Sequence, residues 1–284
     1  MPAFRSPLGL VLAGGGAHGA WQAGCLDALL ESGLSFDRVL GVSVGALTGA
    51  SYALGRMSQI EAFWKDVDKA RLLRFEPRLG PLSLFSSEPL REAVEPAADD
   101  ALARERFRCE LVVVSLCLDD REYHYARFEP GGAGAWDGPL AARLLASCAV
   151  PTVFPPVRVE AGGASRSYVD GGAKGNGFVS FAALAGCRDV LLLQMVRPDE
   201  IGRVKSLSQL FGDQLGRDLA HGLETLRALP GSPRVFRLFP SAPLNFSCFA
   251  FRTRHCAPAV EQGRADGGRF LAEPSSFQVP GFKA

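Results

Sequence analysis

Residues 39–55 read VLGVSVGALTGASYALG, and this stretch decides how the N-terminal part of the chain folds. An apolar run leads to Ser43, which stands between Gly41 and Gly45, and an alanine-rich segment follows. Flanking positions without side chains permit the tight strand-to-helix turn of a nucleophile elbow, where the serine hydroxyl points away from the backbone. The pattern therefore predicts a strand, a turn that carries Ser43, and a helix. The same short string also occurs in turns that only let a helix pack closely on a sheet.

A second unit of this kind precedes the elbow. LGLVLA at 8–13 is typical of a buried strand and runs into the glycines 14–16. AWQAGCLDALLESG at 20–33 has the apolar spacing of a helix, and its last glycine is a helix stop signal. Two strand–turn–helix units within the first 55 residues predict an α/β protein with a mainly parallel central sheet and helices on both faces.

The remaining chain alternates strand and helix signals without a linker. Strands are predicted at 110–118 and 189–196, and the polar segment 121–129 pairs with the first of them as a hairpin. The stretch 56–107 is predicted to be mostly helical, with an interruption at 78–90, and the proline-rich 150–159 to be a loop or an edge strand. Helices are predicted at 201–229 and 257–272. We therefore expect a single domain over 1–284, with 201–284 completing it.

Bulk composition excludes several classes of function. The 284 residues carry 31 basic and 30 acidic side chains and a net charge of +1. The chain therefore lacks the excess of basic residues that is typical of proteins that bind nucleic acid. No apolar run reaches the length of about 18 residues that a transmembrane helix needs. Seven scattered cysteines form no C-x-x-C pair. Free thiols in a reducing compartment are expected, which favours a cytoplasmic location.

The first glycine cluster has two interpretations. Gly14, Gly16 and Gly19 spell G-x-G-x-x-G between a strand and a helix, as in dinucleotide-binding folds. That fingerprint also needs an acidic residue at the end of the second strand, whereas Asp37 stands at the beginning of that strand and the elbow occupies its end. The alternative is an oxyanion hole, because glycines at a helix start leave backbone N–H groups unpaired beside the predicted nucleophile.

A serine nucleophile needs a base. The four histidines stand at 18, 124, 221 and 255, and none has a distinctive setting. Asp170 ends a predicted strand in SYVDGG, where the two following glycines force a turn and leave the carboxylate at the strand's C-terminal edge. An ordinary Asp-Gly turn is the competing interpretation of this segment.

At this point the chain resembles a known family, the patatin-like phospholipases. Four motifs carry the resemblance in order, and a closing-helix segment adds to them: GGGAHGA (14–20), GVSVG (41–45), SCAVPTVFPPV (147–157), YVDGG (168–172) and EQGRADGGRFL (261–271). The resemblance implies a three-layer α/β/α fold and a Ser–Asp dyad that needs neither histidine, metal nor cofactor. It assigns Ser43 as nucleophile, Asp170 as general base, and Gly14, Gly15 and Gly16 as the oxyanion hole.

The resemblance further implies a serine acyl hydrolase that acts on phospholipids or related lipids at a membrane surface. Two departures affect the expected substrate range: His18 stands where bacterial members usually carry Arg or Lys, and GGAKGNGFVSF (171–181) replaces the usual turn after the aspartate. An acyltransferase that uses the same acyl-serine, or a non-catalytic lipid-binding protein on this scaffold, stays open. The apolar segments 81–85 and 244–251 fit either core or a membrane-facing rim, and secretion as an effector stays open too.

Overall fold

A central sheet of eight strands organises the protein. The computed structural model describes residues 4–68, 72–131, 134–200 and 207–282. The strands of the sheet are β1 (Leu8–Leu12), β2 (Arg38–Val42), β5 (Glu110–Cys117), β6 (Tyr123–Phe128), β7 (Val157–Ala161), β8 (Ala164–Asp170), β9 (Asp189–Leu193) and β10 (Arg234–Leu238). Strands β10, β9, β1, β2 and β5 lie side by side in that order and are all parallel. Beyond β5 the sheet continues with β8 and then β7 through antiparallel pairs, and β5 also pairs antiparallel with β6. A separate hairpin comprises β3 (Arg74–Leu79) and β4 (Leu82–Ser86).

Helices cover both faces of this sheet. They are α1 (Gly19–Glu31), α2 (Val44–Ala53), α3 (Met57–Lys65), α4 (Glu88–Val94), α5 (Asp100–Arg106), α6 (Leu140–Ser147), α7 (Leu207–Ala228) and α8 (Thr253–Ala272). Leu10 of β1 joins a buried cluster with α1 and α8, whereas its neighbour Val11 joins a second cluster with Leu219 and Leu226 of α7. Successive strand residues point to opposite faces, so each face has its own core. The predicted three-layer α/β/α fold is confirmed.

The C-terminal residues belong to the same layers. Strand β10 extends the sheet beside β9, and α8 packs along α1, where the buried Trp21 indole donates a 2.8 Å hydrogen bond to Asp266. This arrangement favours the expected single domain. No helix within the described ranges is both long and apolar enough to cross a bilayer.

The interruption predicted at 78–90 within the mostly helical stretch 56–107 is a hairpin. Strands β3 and β4 occupy residues 74–86 between α3 and α4, so the interruption begins four residues earlier than predicted and consists of strands. There β4 alternates exposed Leu82 and Leu84 with buried Ser83, and this two-residue period is that of a strand. Of the helix predicted at 201–229, the structure describes Leu207–Ala228 as α7. Residues 201–206 lie outside the described residues. The hairpin at 121–129 and the edge strand within 150–159 are confirmed as β6 and β7.

The register of β1 and β2 positions the elbow. Leu12 lies opposite Gly41 in the parallel pair, so both strands deliver their carboxyl ends to one edge of the sheet. Helix α2 starts immediately there and passes so close to β1 that a Cβ on Gly45 would lie 2.1 Å from the Leu12 carbonyl oxygen. A Cβ on Gly41 would lie 2.6 Å from the Ala46 Cα. Both glycines are therefore required by contact with backbone atoms, which cannot move aside as a flexible side chain can.

We expect Gly45→Ala to lower the free energy of unfolding by at least about 3 kcal/mol, because overpacking against backbone forces the helix away from the sheet. Chemical denaturation measures this loss. Gly268→Ala is the matched control, since Gly268 is an exposed residue of α8 whose Cβ would meet nothing within 4 Å. There alanine should stabilise by about 0.5–1 kcal/mol. Equal effects of the two substitutions would contradict the close approach.

Candidate active site

Ser43 stands at the turn between β2 and α2 with strained backbone. Its φ of 55° and ψ of −128° lie in a region that residues with a side chain rarely adopt. The carbonyl of Ser43 accepts a 2.8 Å hydrogen bond from the Ala46 N–H and so opens α2. The predicted strand–turn–helix is confirmed, and its geometry is that of a nucleophile elbow.

A second serine, Ser147 of α6, supports the elbow. The Ser147 hydroxyl accepts a 2.9 Å hydrogen bond from the Ser43 N–H and donates a 2.6 Å hydrogen bond to the Val114 carbonyl. Ser147 is fully buried, so the bridge is shielded from water. No local signal in the sequence indicates this role, although Ser147 opens the motif SCAVPTVFPPV (147–157). Only a tertiary contact between residues 104 positions apart reveals it.

The glycine loop lies directly beside the elbow. A Cβ placed on Gly14 would lie 3.1 Å from the Ser43 Cβ. Gly15 and Gly16 have φ values of 157° and 54°, and a Cβ on Gly16 would lie 2.3 Å from the Cys248 carbonyl oxygen. That carbonyl already accepts the Ala17 N–H at 2.7 Å. Within the described part of the chain, no group accepts a hydrogen bond from the N–H of Gly14, Gly15 or Gly16, so these donors stay available to an anion.

Asp170 ends β8 opposite Ser115 of β5, and its own N–H donates to the Ala149 carbonyl at 3.0 Å. Carboxyl Oδ1 accepts the Gly172 N–H at 2.7 Å. Oδ2 is buried and makes no hydrogen bond of normal geometry with the described residues. Burial raises the pKa of Asp170 to about 6, while the nearby Ser43 hydroxyl and the Gly172 N–H oppose the rise. A buried carboxyl with one free oxygen is suited to accepting a proton.

All five predicted site residues line one cavity of about 130 Å³. Apart from Ser43 and Asp170 its wall is almost entirely apolar. Side chains come from α2, α3, the residues before β3, α4, the loop after α6 and the segment 244–251: Val44, Leu47, Ile60, Phe63, Trp64, Leu72, Leu73, Leu90, Cys148, Val150, Phe154, Cys248, Phe249 and Phe251. A wall of this composition suits an apolar ligand, and its polar groups are confined to Ser43, Asp170 and the glycine backbone.

The four histidines lie elsewhere, and none lines the cavity. The closest in sequence to the glycine loop is His18, whose Nε2 lies 2.8 Å from the Phe246 carbonyl and whose ring packs edge-on against Phe246. Burial lowers the pKa of His18, so its ring is neutral at physiological pH. His124 contacts Asp120, and His255 stacks on Phe246. The arrangement favours the predicted dyad over a histidine-containing triad.

The other polar groups weighed from the sequence have structural partners. Asp37 accepts hydrogen bonds from the Ser6 hydroxyl and the Leu8 N–H, at the edge of the sheet opposite the glycine loop.

Within the described part of the chain, one group brings three potential metal ligands within 4.8 Å of each other: Cys117, Asp120 and His124. Asp120 also pairs with Arg166 at 3.0 Å, and the group lies outside the cavity lining.

Comparison with known proteins identifies the family. The family model of the patatin-like phospholipases matches residues 10–183, more than half of the chain, so the chain belongs to this family of lipid esterases and phospholipases. An uncharacterised NTE family protein of Mycobacterium bovis is 28% identical over 166 residues, which are 57% of this chain and 42% of that protein. The neuropathy target esterase of Drosophila persimilis is 53% identical over 49 residues, 17% of this chain and 3% of that protein.

Among solved structures, VipD from Legionella pneumophila aligns with 96% of this chain and 68% of its own, at 16% identity and a TM-score of 0.48. The chain spans less than half the length of the Mycobacterium bovis relative.

The buried carboxyl of Asp170 predicts a pH-dependent stability effect. Unfolded aspartate ionises near pH 4, whereas folded Asp170 has a pKa of about 6. A raised pKa means that the folded state loses stability as the pH rises between these values and does not regain it above them. We expect Asp170→Asn to raise the free energy of unfolding at pH 8 by about 2–3 kcal/mol, and to have little effect at pH 4.

Urea denaturation at both pH values measures this difference. The control is Asp199→Asn, which removes a carboxylate whose side chain is 53% exposed and pairs with Arg197. It should change stability by less than about 0.5 kcal/mol at either pH. An Asp170→Asn protein that gains no stability at pH 8 relative to pH 4 would refute the burial argument.

Proposed function

We propose that the protein is a serine acyl hydrolase that cleaves carboxylic ester bonds of lipids through Ser43 and Asp170. One observation carries the proposal: an elbow serine, a buried carboxyl with a free oxygen and a glycine loop with unpaired N–H groups line the same apolar cavity. The apolar wall suits the acyl chain of a lipid, and the polar groups stand where its ester carbonyl would lie. Membership of a phospholipase family supports this assignment.

In the first step Asp170 Oδ2 takes the proton of the Ser43 hydroxyl while the serine oxygen attacks the ester carbonyl carbon. The carbonyl oxygen gains the negative charge. The N–H groups of Gly14 and Gly15 donate hydrogen bonds to this oxyanion, and the positive end of the α1 dipole adds to its stabilisation. Collapse of this intermediate breaks the bond to the alcohol, which leaves with the proton from Asp170. An acyl-Ser43 ester remains.

In the second step Asp170 accepts a proton from water as the water oxygen attacks the acyl-serine. The same N–H groups hold the second oxyanion, and collapse returns the proton to Ser43 and releases a fatty acid. Because the pKa of Asp170 is about 6, the carboxyl is ionised at neutral pH yet is a stronger base than an exposed aspartate. Burial therefore compensates in part for the absence of an imidazole from the cavity.

The neutral His18 explains how the first departure from the family pattern is accommodated. Its ring nitrogen holds the Phe246 carbonyl and thereby fixes the segment 244–251, whose Cys248 carbonyl contacts the glycine loop. We propose that His18 supports the wall of the cavity rather than adding charge beside the oxyanion hole.

We expect a fluorophosphonate probe to label the wild-type protein at Ser43 and the Ser43→Ala variant to lose both labelling and ester turnover, by about 10⁴-fold or more. His255→Ala and His221→Ala should keep turnover within about threefold, since neither ring lines the cavity. Mass spectrometry of the labelled peptide identifies the modified residue. Labelling that persists in Ser43→Ala, or inactivity of the wild type towards every ester, would end the hydrolase assignment.

Hydrolase and acyltransferase share the acyl-serine intermediate, so the products separate them. Turnover of a lipid ester in the presence of glycerol or another alcohol yields free fatty acid from a hydrolase and a new ester from a transferase. Under the mechanism proposed here, free fatty acid predominates.

Gly15→Ala tests the oxyanion hole. Gly15 presents its N–H at a φ of 157°, and a Cβ there would lie 2.9 Å from the flexible end of Met195. Alanine turns the amide away, and we expect turnover to fall by about 10²–10³-fold, as for loss of one oxyanion donor. The free energy of unfolding should fall by only about 1–2 kcal/mol.

Gly33→Ala is the matched control, because Gly33 has a φ of 86° with nothing within 4 Å of its Cβ position. It should lose a similar amount of stability and keep full turnover. A Gly15→Ala protein with normal turnover per folded molecule would show that the glycine loop serves packing alone.

A further inference from the structure

Exposed apolar side chains are concentrated in two segments that border the cavity. Seven large hydrophobic residues are exposed in the described part of the chain, and five of them lie in the β3–β4 hairpin or in α3 at the cavity: Phe63, Phe75, Leu79, Leu82 and Leu84. Leu79 at the hairpin tip is 96% exposed. Leu79 and Leu82 are cross-strand partners, and Leu84 follows on the same face of β4, so the three leucines form one apolar surface.

Both ends of the hairpin lead to the cavity. Leu72 and Leu73, which precede β3, line it, and so does Leu90, which follows β4. The β4 edge is also hydrogen-bonded to the loop after α6, between two residues that line the cavity: the Leu84 N–H donates to the Thr152 carbonyl at 3.0 Å and the Phe85 N–H to the Val153 carbonyl at 2.9 Å. The hairpin that carries the exposed apolar face is therefore joined at both ends and along one edge to segments that form the cavity.

The cavity itself is small. Its volume of about 130 Å³ is close to that of an engineered cavity of about 150 Å³ that holds one benzene molecule. It therefore encloses only the first carbons of an acyl chain beside Ser43. The rest of a long chain must extend outside, past the exposed Phe63, where water is an unfavourable environment for it.

We propose that the outer face of the β3–β4 hairpin, formed by Leu79, Leu82 and Leu84, docks onto a phospholipid bilayer and places the cavity entrance against it. This inference rests on the proposed function, because it assumes a lipid acyl chain at Ser43. The three leucines insert at the boundary between the lipid headgroups and the acyl chains. The part of the substrate chain that lies outside the cavity then remains in the hydrocarbon of the bilayer and never enters water. Arg74 and Arg78 belong to the same hairpin and are both about half exposed, and their positive charge favours contact with lipid phosphates.

A bilayer fits this surface better than a protein does. The apolar face of a two-stranded hairpin amounts to a few hundred Å² at most. A stable protein interface buries about 800 Å² on each partner. Insertion into a bilayer needs no such complementary area, since each leucine gains burial independently. Glu76 pairs with both arginines and leaves the hairpin a net charge of only +1, so apolar burial supplies most of the docking.

Vesicle co-sedimentation of the Ser43→Ala protein tests the docking without hydrolysis of the vesicles. We expect it to bind vesicles of phosphatidylcholine, and somewhat better those that also contain phosphatidylglycerol. Addition of Leu79→Glu and Leu82→Glu should raise the lipid concentration for half-binding by at least about tenfold. The matched control adds Leu118→Glu and Phe178→Glu instead, at two equally apolar residues that are 43% and 41% exposed in other segments, and should change binding by less than about twofold.

The same pairs of substitutions in active protein separate docking from catalysis. None of the hairpin leucines lines the cavity, so turnover of the soluble ester p-nitrophenyl butyrate should stay within about twofold, while hydrolysis of vesicle lipid falls in parallel with binding. Loss of soluble-ester turnover in Ser43→Ala, together with intact vesicle binding, supports the serine and the docking independently. Vesicle binding that is absent, or that the hairpin glutamates leave unchanged, overturns the docking. Loss of a dimer in those variants, with no vesicle binding in the parent, would instead make the face a self-association surface.

Discussion

The close contact between the start of α2 and the end of β1 is the constraint on which the rest of the site depends. Gly45 lies so near the Leu12 carbonyl that any side chain there would collide with backbone. This contact bends the chain so sharply that Ser43 adopts a φ of 55°. Strain of this kind costs about 1–3 kcal/mol and persists only where the surrounding structure holds it. Here the parallel pairing of β1 with β2 and the hydroxyl of Ser147 hold it.

The acid and the nucleophile reach the same cavity by different routes. Ser43 stands at the end of a parallel strand, whereas Asp170 ends the antiparallel β8, whose pairing with β5 involves only the last residues of β5. Ser147 connects these parts, since its hydroxyl joins the Val114 carbonyl on β5 to the Ser43 N–H. A displacement of β5 would therefore change the positions of both Ser43 and Asp170, the two members of the proposed dyad. Burial raises the pKa of Asp170, and the Ser43 hydroxyl and the Gly172 N–H offset only part of that rise.

The segment 244–251 shows how a late part of the chain completes an early motif. Its Cys248 carbonyl accepts the Ala17 N–H and lies against Gly16, while Phe246 contacts His18 through its ring and its carbonyl. Phe249 and Phe251 then form part of the cavity wall. The two apolar segments noted in the sequence thus have different roles: 244–251 is half-buried over the glycine loop, and 81–85 alternates between a buried and an exposed face.

The sequence by itself determined the elbow, the glycine loop, Asp170 and the α/β class, because close backbone contacts and strand ends demand glycines and small residues at fixed local spacings. It misjudged the hairpin between α3 and α4, where two prolines and a short alternation leave a weak signal among helix-forming residues. Only the tertiary structure decided the role of Ser147, the apolar wall of the cavity, the neutral state of His18 and the exposure of Leu79. These properties depend on burial and on contacts between distant segments, such as that between His18 and Phe246, which are 228 positions apart, and no local pattern encodes such contacts.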